Sequence, residues 1–126
     1  MKFQPDTFVG TNAISRHEPG TVWVNNQRFE GSLLVPWKGE VRPWAAQEHA
    51  TLTAEHFSEV LALKPELVIF GSGARLRFIS PALYRALIEA RIGLETMDSA
   101  AACRTYNVLA AEGRSVVAAL LPGTAD

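Results

Sequence analysis

Two unbroken apolar runs, Leu67-Val68-Ile69-Phe70 and Val116 to Leu121, constrain this chain more than any other feature. Neither alternates with polar residues. Each is therefore suited to burial on both faces, the setting of an inner strand in a parallel sheet. Breakers bound them: Lys64-Pro65 and Gly71-Ser72-Gly73 around the first, Gly113 and Pro122-Gly123 around the second. Parallel neighbours need long crossovers, usually helical, and the residues between the two runs can supply them.

Ser80-Pro81 predicts a helix start, with Ser80 as N-cap and Pro81 in the first helical position. Leu83, Leu87 and Ala90 would line one side of that helix, with Ala86 beside them and Gly93 as C-cap. Leu94 to Met97 mixes polar and apolar residues and reads as a short strand near a sheet edge. Asp98 or Ser99 caps a last helix that runs to about Ala111, with Ala102, Tyr106 and Leu109 on its apolar face. Strand, helix, strand, helix, strand gives a βαβαβ unit from about Glu66 onward, with right-handed crossovers. Upstream, Thr53 caps a helix whose stripe is Phe57, Val60 and Leu61, and Lys64-Pro65 ends it.

The first third reads as β and holds all three tryptophans, Trp23, Trp37 and Trp44. Thr21 to Val24 and Gln27 to Glu30 flank Asn25-Asn26, a pair that tolerates positive φ and so suits a two-residue hairpin turn. That register pairs Val24 with Gln27, Trp23 with Arg28 and Val22 with Phe29, and sets the Arg28 guanidinium over the Trp23 ring. Leu33 to Val35 continues as strand until Pro36. Lys38-Gly39-Glu40 turns the chain, and Val41 to Trp44 forms a short edge strand, since Pro43 cannot donate to a ladder. This region either extends the central sheet or packs on it as a second layer; the sequence leaves both open.

A chain of 126 residues, 48% hydrophobic, fits one domain spanning residues 1–126 with a self-sufficient core. Net charge is −1 and the pI about 6.3, which gives no overall basic field for a phosphate backbone, so nucleic acid is not an expected partner. A lone cysteine, Cys103, makes no internal disulfide and fits a reducing compartment. Met1 to Asp6 lacks a signal-peptide core, and the longest apolar run is too short to span a bilayer. The expectation is a cytoplasmic protein without membrane insertion.

Candidate chemistry is sparse. Gly71-Ser72-Gly73 ends a parallel strand, where open α/β sheets place ligand crevices, and Arg75 and Arg77 follow. Its amides are read either as an anion cradle or as a plain turn. The dinucleotide and phosphate-loop patterns both fail: Leu76 stands where a third glycine is needed, and no Gly-Lys-Ser/Thr occurs. Cys103 sits on the flank of the last helix and reads as a small core residue, because Arg104 projects about 100° away around the helix. His17, His49 and His56 lack metal-ligand spacing and read as surface residues, and no metal or cofactor is expected. Of the acids near strand ends, Asp98 reads as an N-cap, Glu112 as a partner of Arg114 or Arg104, and Glu95 has no assigned role.

Met97-Asp98-Ser99-Ala100-Ala101-Ala102-Cys103-Arg104-Thr105-Tyr106-Asn107 and its continuation to Pro122, with Phe70-Gly71-Ser72-Gly73 and Pro81, resemble the family known as domain of unknown function 498. That family includes the mitochondrial NADH dehydrogenase (complex I) assembly factor 3. The resemblance runs from roughly Gly31 to Pro122 and departs from the family motif at Ser99, often Thr. It implies a three-layer α/β domain with a mixed central sheet and a role in assembly or interaction rather than catalysis. The lack of a transit peptide points to a bacterial, cytoplasmic member. The surface expected to carry that role is Gly71, Ser72, Gly73, Arg75, Arg77 and Cys103, facing a protein partner or a second copy of the chain. The rival use of the same crevice is a small-molecule or anion site, with or without an enzymatic step.

Overall fold

The computed structural model describes residues 10–124. The opening segment read above for targeting signals lies, through residue 9, outside the described residues. The elements run β1 (Ile14–Glu18), β2 (Thr21–Val24), β3 (Gln27–Glu30), β4 (Leu33–Pro36), β5 (Arg42–Pro43), a 3-10 turn (His49–Thr51), α1 (Ala54–Leu61) and β6 (Leu67–Gly71). They continue with a 3-10 turn (Pro81–Tyr84), α2 (Arg85–Glu89), β7 (Gly93–Met97), α3 (Ser99–Ala111) and β8 (Val116–Leu120).

The two apolar runs lie side by side. β6 pairs in parallel with β8 on one side, Leu67 opposite Val116, and with β7 on the other. Every residue of β6 and β8 is buried. Both alternatives for the first third are realised. β4 joins β8 antiparallel and β5 joins β4 at the edge, so the mixed five-stranded order is β5-β4-β8-β6-β7. β1, β2 and β3 form a separate antiparallel sheet.

The central sheet carries a layer on each face. Leu33, Val35, Ile69, Ala118 and Leu120 point to one side, where Ala102 and Tyr106 of α3 and Ile14, Val22 and Val24 of the small sheet meet them. Leu34, Val68, Phe70, Val117 and Ala119 point to the other, under Phe57 and Val60 of α1 and Leu87 of α2. Trp44, Phe57 and Phe70 stack edge to face with ring centres 5.7 to 6.1 Å apart. The result is the three-layer α/β architecture with a mixed central sheet.

The Asn25-Asn26 hairpin has the expected register, and both asparagines take positive φ, 53° and 69°. Thr53 caps α1, its N–H donating to Nδ1 of His56 at 3.1 Å. Several local expectations are corrected. The cation over Trp23 is Arg16, 4.7 Å from the ring centre, because Arg28 turns to Glu30. The helix after Ser80 opens as a 3-10 turn and is α-helical only from Arg85; Ala90 is exposed. Its left-handed C-terminal residue is Arg91, φ 62°, while Gly93 already belongs to β7. Arg114 pairs with Glu66 at 3.3 Å rather than with Glu112. β1 has no counterpart among the expected strands.

Candidate functional site

The carboxyl end of β6 meets the end of β8 and the start of α3 at Gly71. A side chain there would lie 2.9 Å from both Leu120 Cδ2 and Ser99 Oγ, so only glycine permits the approach. Ser99, 1% exposed, binds the three elements together. Its Oγ accepts from the Gly73 N–H at 2.9 Å and donates to the Leu121 carbonyl at 2.8 Å. The Ser99 N–H donates to the Gly73 carbonyl, and the Leu121 N–H to that of Gly71. Ser72 closes the loop that follows. Its N–H donates to the Met97 carbonyl, and its Oγ accepts from the Arg77 N–H at 3.0 Å while lying 2.8 Å from the Arg75 carbonyl. The Ser72 and Gly73 amides, which the sequence offered as an anion cradle, are thus engaged inside the protein.

Beyond this base the chain from Ala74 to Ser80 has no regular structure. Arg75 is exposed and Arg77 half-buried; Leu76 is 50% and Phe78 73% exposed. His49 approaches from the neighbouring turn, its Nε2 2.9 Å from the Phe78 carbonyl, which makes that nitrogen the donor. A cleft of about 50 Å³ beside Ser72, Gly73, His49 and Pro122 has room for a water or two.

Cys103 opens elsewhere. Only 4% exposed, it borders a cavity of about 380 Å³ between β1 and α3, with His17, Arg104 and Asn107. Burial pushes its thiol up to about 12, and the neighbouring Arg104 guanidinium offsets only part of that. The structure therefore brings Ser72 and Gly73 to one concavity and Cys103 to another. Burial also lowers the imidazole of His17; the Arg104 charge acts in the same direction, the carboxylates of Asp98 and Glu18 against it. Asp98 is the N-cap of α3, accepting from the Ala101 N–H at 2.8 Å. Glu95 and Glu112 are exposed. Among the described residues no three His, Cys, Asp or Glu side chains converge as a metal site would require.

The polar chemistry of the Thr105-Tyr106-Asn107 stretch is architectural. The fully buried Tyr106 hydroxyl lies 2.9 Å from the Asn12 carbonyl and 3.1 Å from that of Pro36. Burial raises its phenol well above the ordinary range, so it stays a donor. Asn107 accepts from the Ile14 N–H and donates to the Ile14 carbonyl, both at 2.8 Å. Together they fasten the small sheet to α3. Neither role was visible in the sequence, where Tyr106 counted only as an apolar position. The exposed Leu76 and Phe78 could have been found, because they are large apolar residues in a loop that belongs to no periodic stripe.

Known proteins resemble this chain in overall fold or in sequence. A crystal structure of a Bordetella parapertussis protein superposes with a TM-score of 0.85 at 37% identity, covering 91% of this chain and 98% of that one. An uncharacterized protein of Rhodobacter capsulatus is 34% identical over 116 residues, 91% of this chain and 88% of its own length. The Bos taurus protein named NADH dehydrogenase [ubiquinone] 1 alpha subcomplex assembly factor 3 is 36% identical over 105 residues, 82% of this chain. That match covers 56% of the bovine protein, and this chain spans about half the length of the mammalian assembly factors it matches. Among the described residues no helix is long and apolar enough to cross a membrane. The model of the family described as Protein of unknown function (DUF498/DUF598) matches residues 14–121, and the chain belongs to that family.

Proposed function

We propose that this chain is a non-catalytic accessory protein that works by binding another protein, in the manner of an assembly factor. The observation that carries this reading is the loop after β6. Its base is locked by Ser72 and Ser99, while Arg75, Leu76 and Phe78 stand in solvent above it. Rigidly based aromatic, aliphatic and arginine side chains suit a protein interface. The side chains with chemical potential elsewhere are engaged in holding the fold: Ser99, Tyr106 and Asn107 are hydrogen-bonded to backbone, and the Cys103 thiol is held in its protonated form. The names of the vertebrate relatives support the assembly reading and make NADH dehydrogenase assembly the first place to seek the partner.

The binding surface is assigned to Arg75 and Arg77 with the Gly71-Ser72-Gly73 base beneath them. Cys103, on its separate cavity, is left as a packing residue of the same reading. The protein is taken to act in a bacterial cytoplasm without a cofactor. The test is a tagged pull-down from the native host, read by mass spectrometry, comparing the wild type with Arg75→Glu/Arg77→Glu, each checked as folded by circular dichroism. The expected result is a reproducible protein partner lost from the double variant. A partner retained by the variant refutes the surface, and the absence of any partner with the wild type refutes the reading.

A further inference from the structure

The chain is close to neutral overall, yet its charge is unevenly placed. Residues 75–91 contain four arginines, no lysine and a single acid, Glu89. Arg75, Arg85 and Arg91 are exposed, and none has a carboxylate partner among the described residues. Interspersed with them are three of the four large apolar side chains most open to solvent among the described residues: Phe78 at 73%, Ile88 at 52% and Leu76 at 50%.

These residues lie on the outer side of one layer. Ile79, Leu83, Tyr84 and Leu87 turn inward onto the second core cluster. That leaves Phe78, Arg85 and Ile88 on the solvent side of the same segment. On α2, Arg85 and Ile88 are three residues apart and share one stripe, and the exposed Arg91 follows just past the end of that helix. From Phe78 to Ile88 the chain passes through a 3-10 turn and a helical turn, which limits the separation to on the order of 20 Å. A protein interface of ordinary size, about 800 Å² per partner, covers that span.

We propose that Arg75 to Arg91 forms a docking face for a protein surface that is apolar at its centre and acidic around it, with Phe78 as the inserted anchor. This rests on the reading of the chain as a protein-binding module and names the chemistry of its partner. Once a partner covers this face, three guanidiniums without a carboxylate partner among the described residues lose their water and need acceptors opposite them, which carboxylates supply. That every cation in the segment is arginine favours the planar, two-point pairing that carboxylates offer.

The test places the photo-crosslinking amino acid p-benzoylphenylalanine at position 78 of the full chain in its native host. Crosslinked peptides are then sequenced by mass spectrometry. Support requires a partner segment richer in Asp and Glu than in Lys and Arg, and crosslinking that falls about tenfold with Arg75→Glu/Arg85→Glu/Arg91→Glu in the same background. The crosslinked segment, made as a synthetic peptide, should bind Phe78→Ala about 30-fold more weakly than the wild type. Crosslinks to a basic or neutral segment, to phospholipid or to a second copy of this chain overturn the proposal. So does silence at position 78. If position 78 is silent while the tagged protein still recovers a partner, this proposal fails and the protein-binding reading stands; if no partner is recovered at all, the reading itself fails.

Discussion

Ser99→Ala removes one oxygen from the junction of three elements, and its cost follows from the geometry. The substitution strands the Gly73 N–H and the Leu121 carbonyl, now 2.9 and 2.8 Å from Ser99 Oγ. At a site 1% exposed water does not readily replace the hydroxyl. An unmet buried group costs about 1–3 kcal/mol, and losing the hydroxyl's own desolvation returns part of that, so a net loss of about 2–4 kcal/mol is expected. For a domain of this size that corresponds to a melting temperature roughly 8–15 °C lower. Urea unfolding followed by tryptophan fluorescence reads it directly, since Trp44 is 2% exposed in the folded state, and the slope against urea should not change. A second variant isolates the cause. Gly71→Ala places a methyl 2.9 Å from Ser99 Oγ, so the Ser99→Ala background relieves one of its clashes. The two losses should then sum to less than additive by about 0.5 kcal/mol or more. A Ser99→Ala loss below about 1 kcal/mol, or strict additivity with Gly71→Ala, would refute the proposed lock.

Two further outcomes can be checked on the same protein. Because burial holds the His17 imidazole below its ordinary 6.5, the unfolded chain takes up that proton first as pH falls. Stability from this group should be complete above about pH 6.5 and decline on acidification below it; His17→Gln should flatten that part of the profile, and an unchanged slope would rule the group out. Cys103, with its thiol pushed up to about 12 behind a 4% exposed surface, should resist iodoacetamide at pH 8 in the folded protein and react in urea. Rapid labelling of the native state would mean that the β1–α3 seam opens readily.

What the sequence revealed, and what it hid, divides along physical lines. β6 and β8 were legible because burial on both faces leaves an unbroken apolar signature. The Asn25-Asn26 hairpin was legible because few residue pairs accept two positive φ values in succession. β1 was not. Its pairing with β2 slips between Ile14 and Arg16, so Ser15 is an extra residue. The bulge breaks the two-residue period and lets Ile14 and His17, three apart, share partners that both face inward, Val24 and Val22. Gly93 misled for the opposite reason: a glycine placed where a helix should end is a strong local cue, yet it opens β7, where an added Cβ would come 3.1 Å from Leu67 Cδ1. At the candidate site, the glycines and arginines were visible as residues. Their separation from Cys103 was not, because it depends on which face of the central sheet α3 covers.

The hold of Asn107 on Ile14 reaches beyond anchoring a sheet. One carboxamide meets both the donor and the acceptor of a strand residue, as an adjoining strand would. Part of the β1 margin is thereby denied to other chains that could pair with it. Asn107→Ala is therefore expected to lower solubility at high concentration while the fold persists, and unchanged solubility would show that the packing of α3 alone covers that margin.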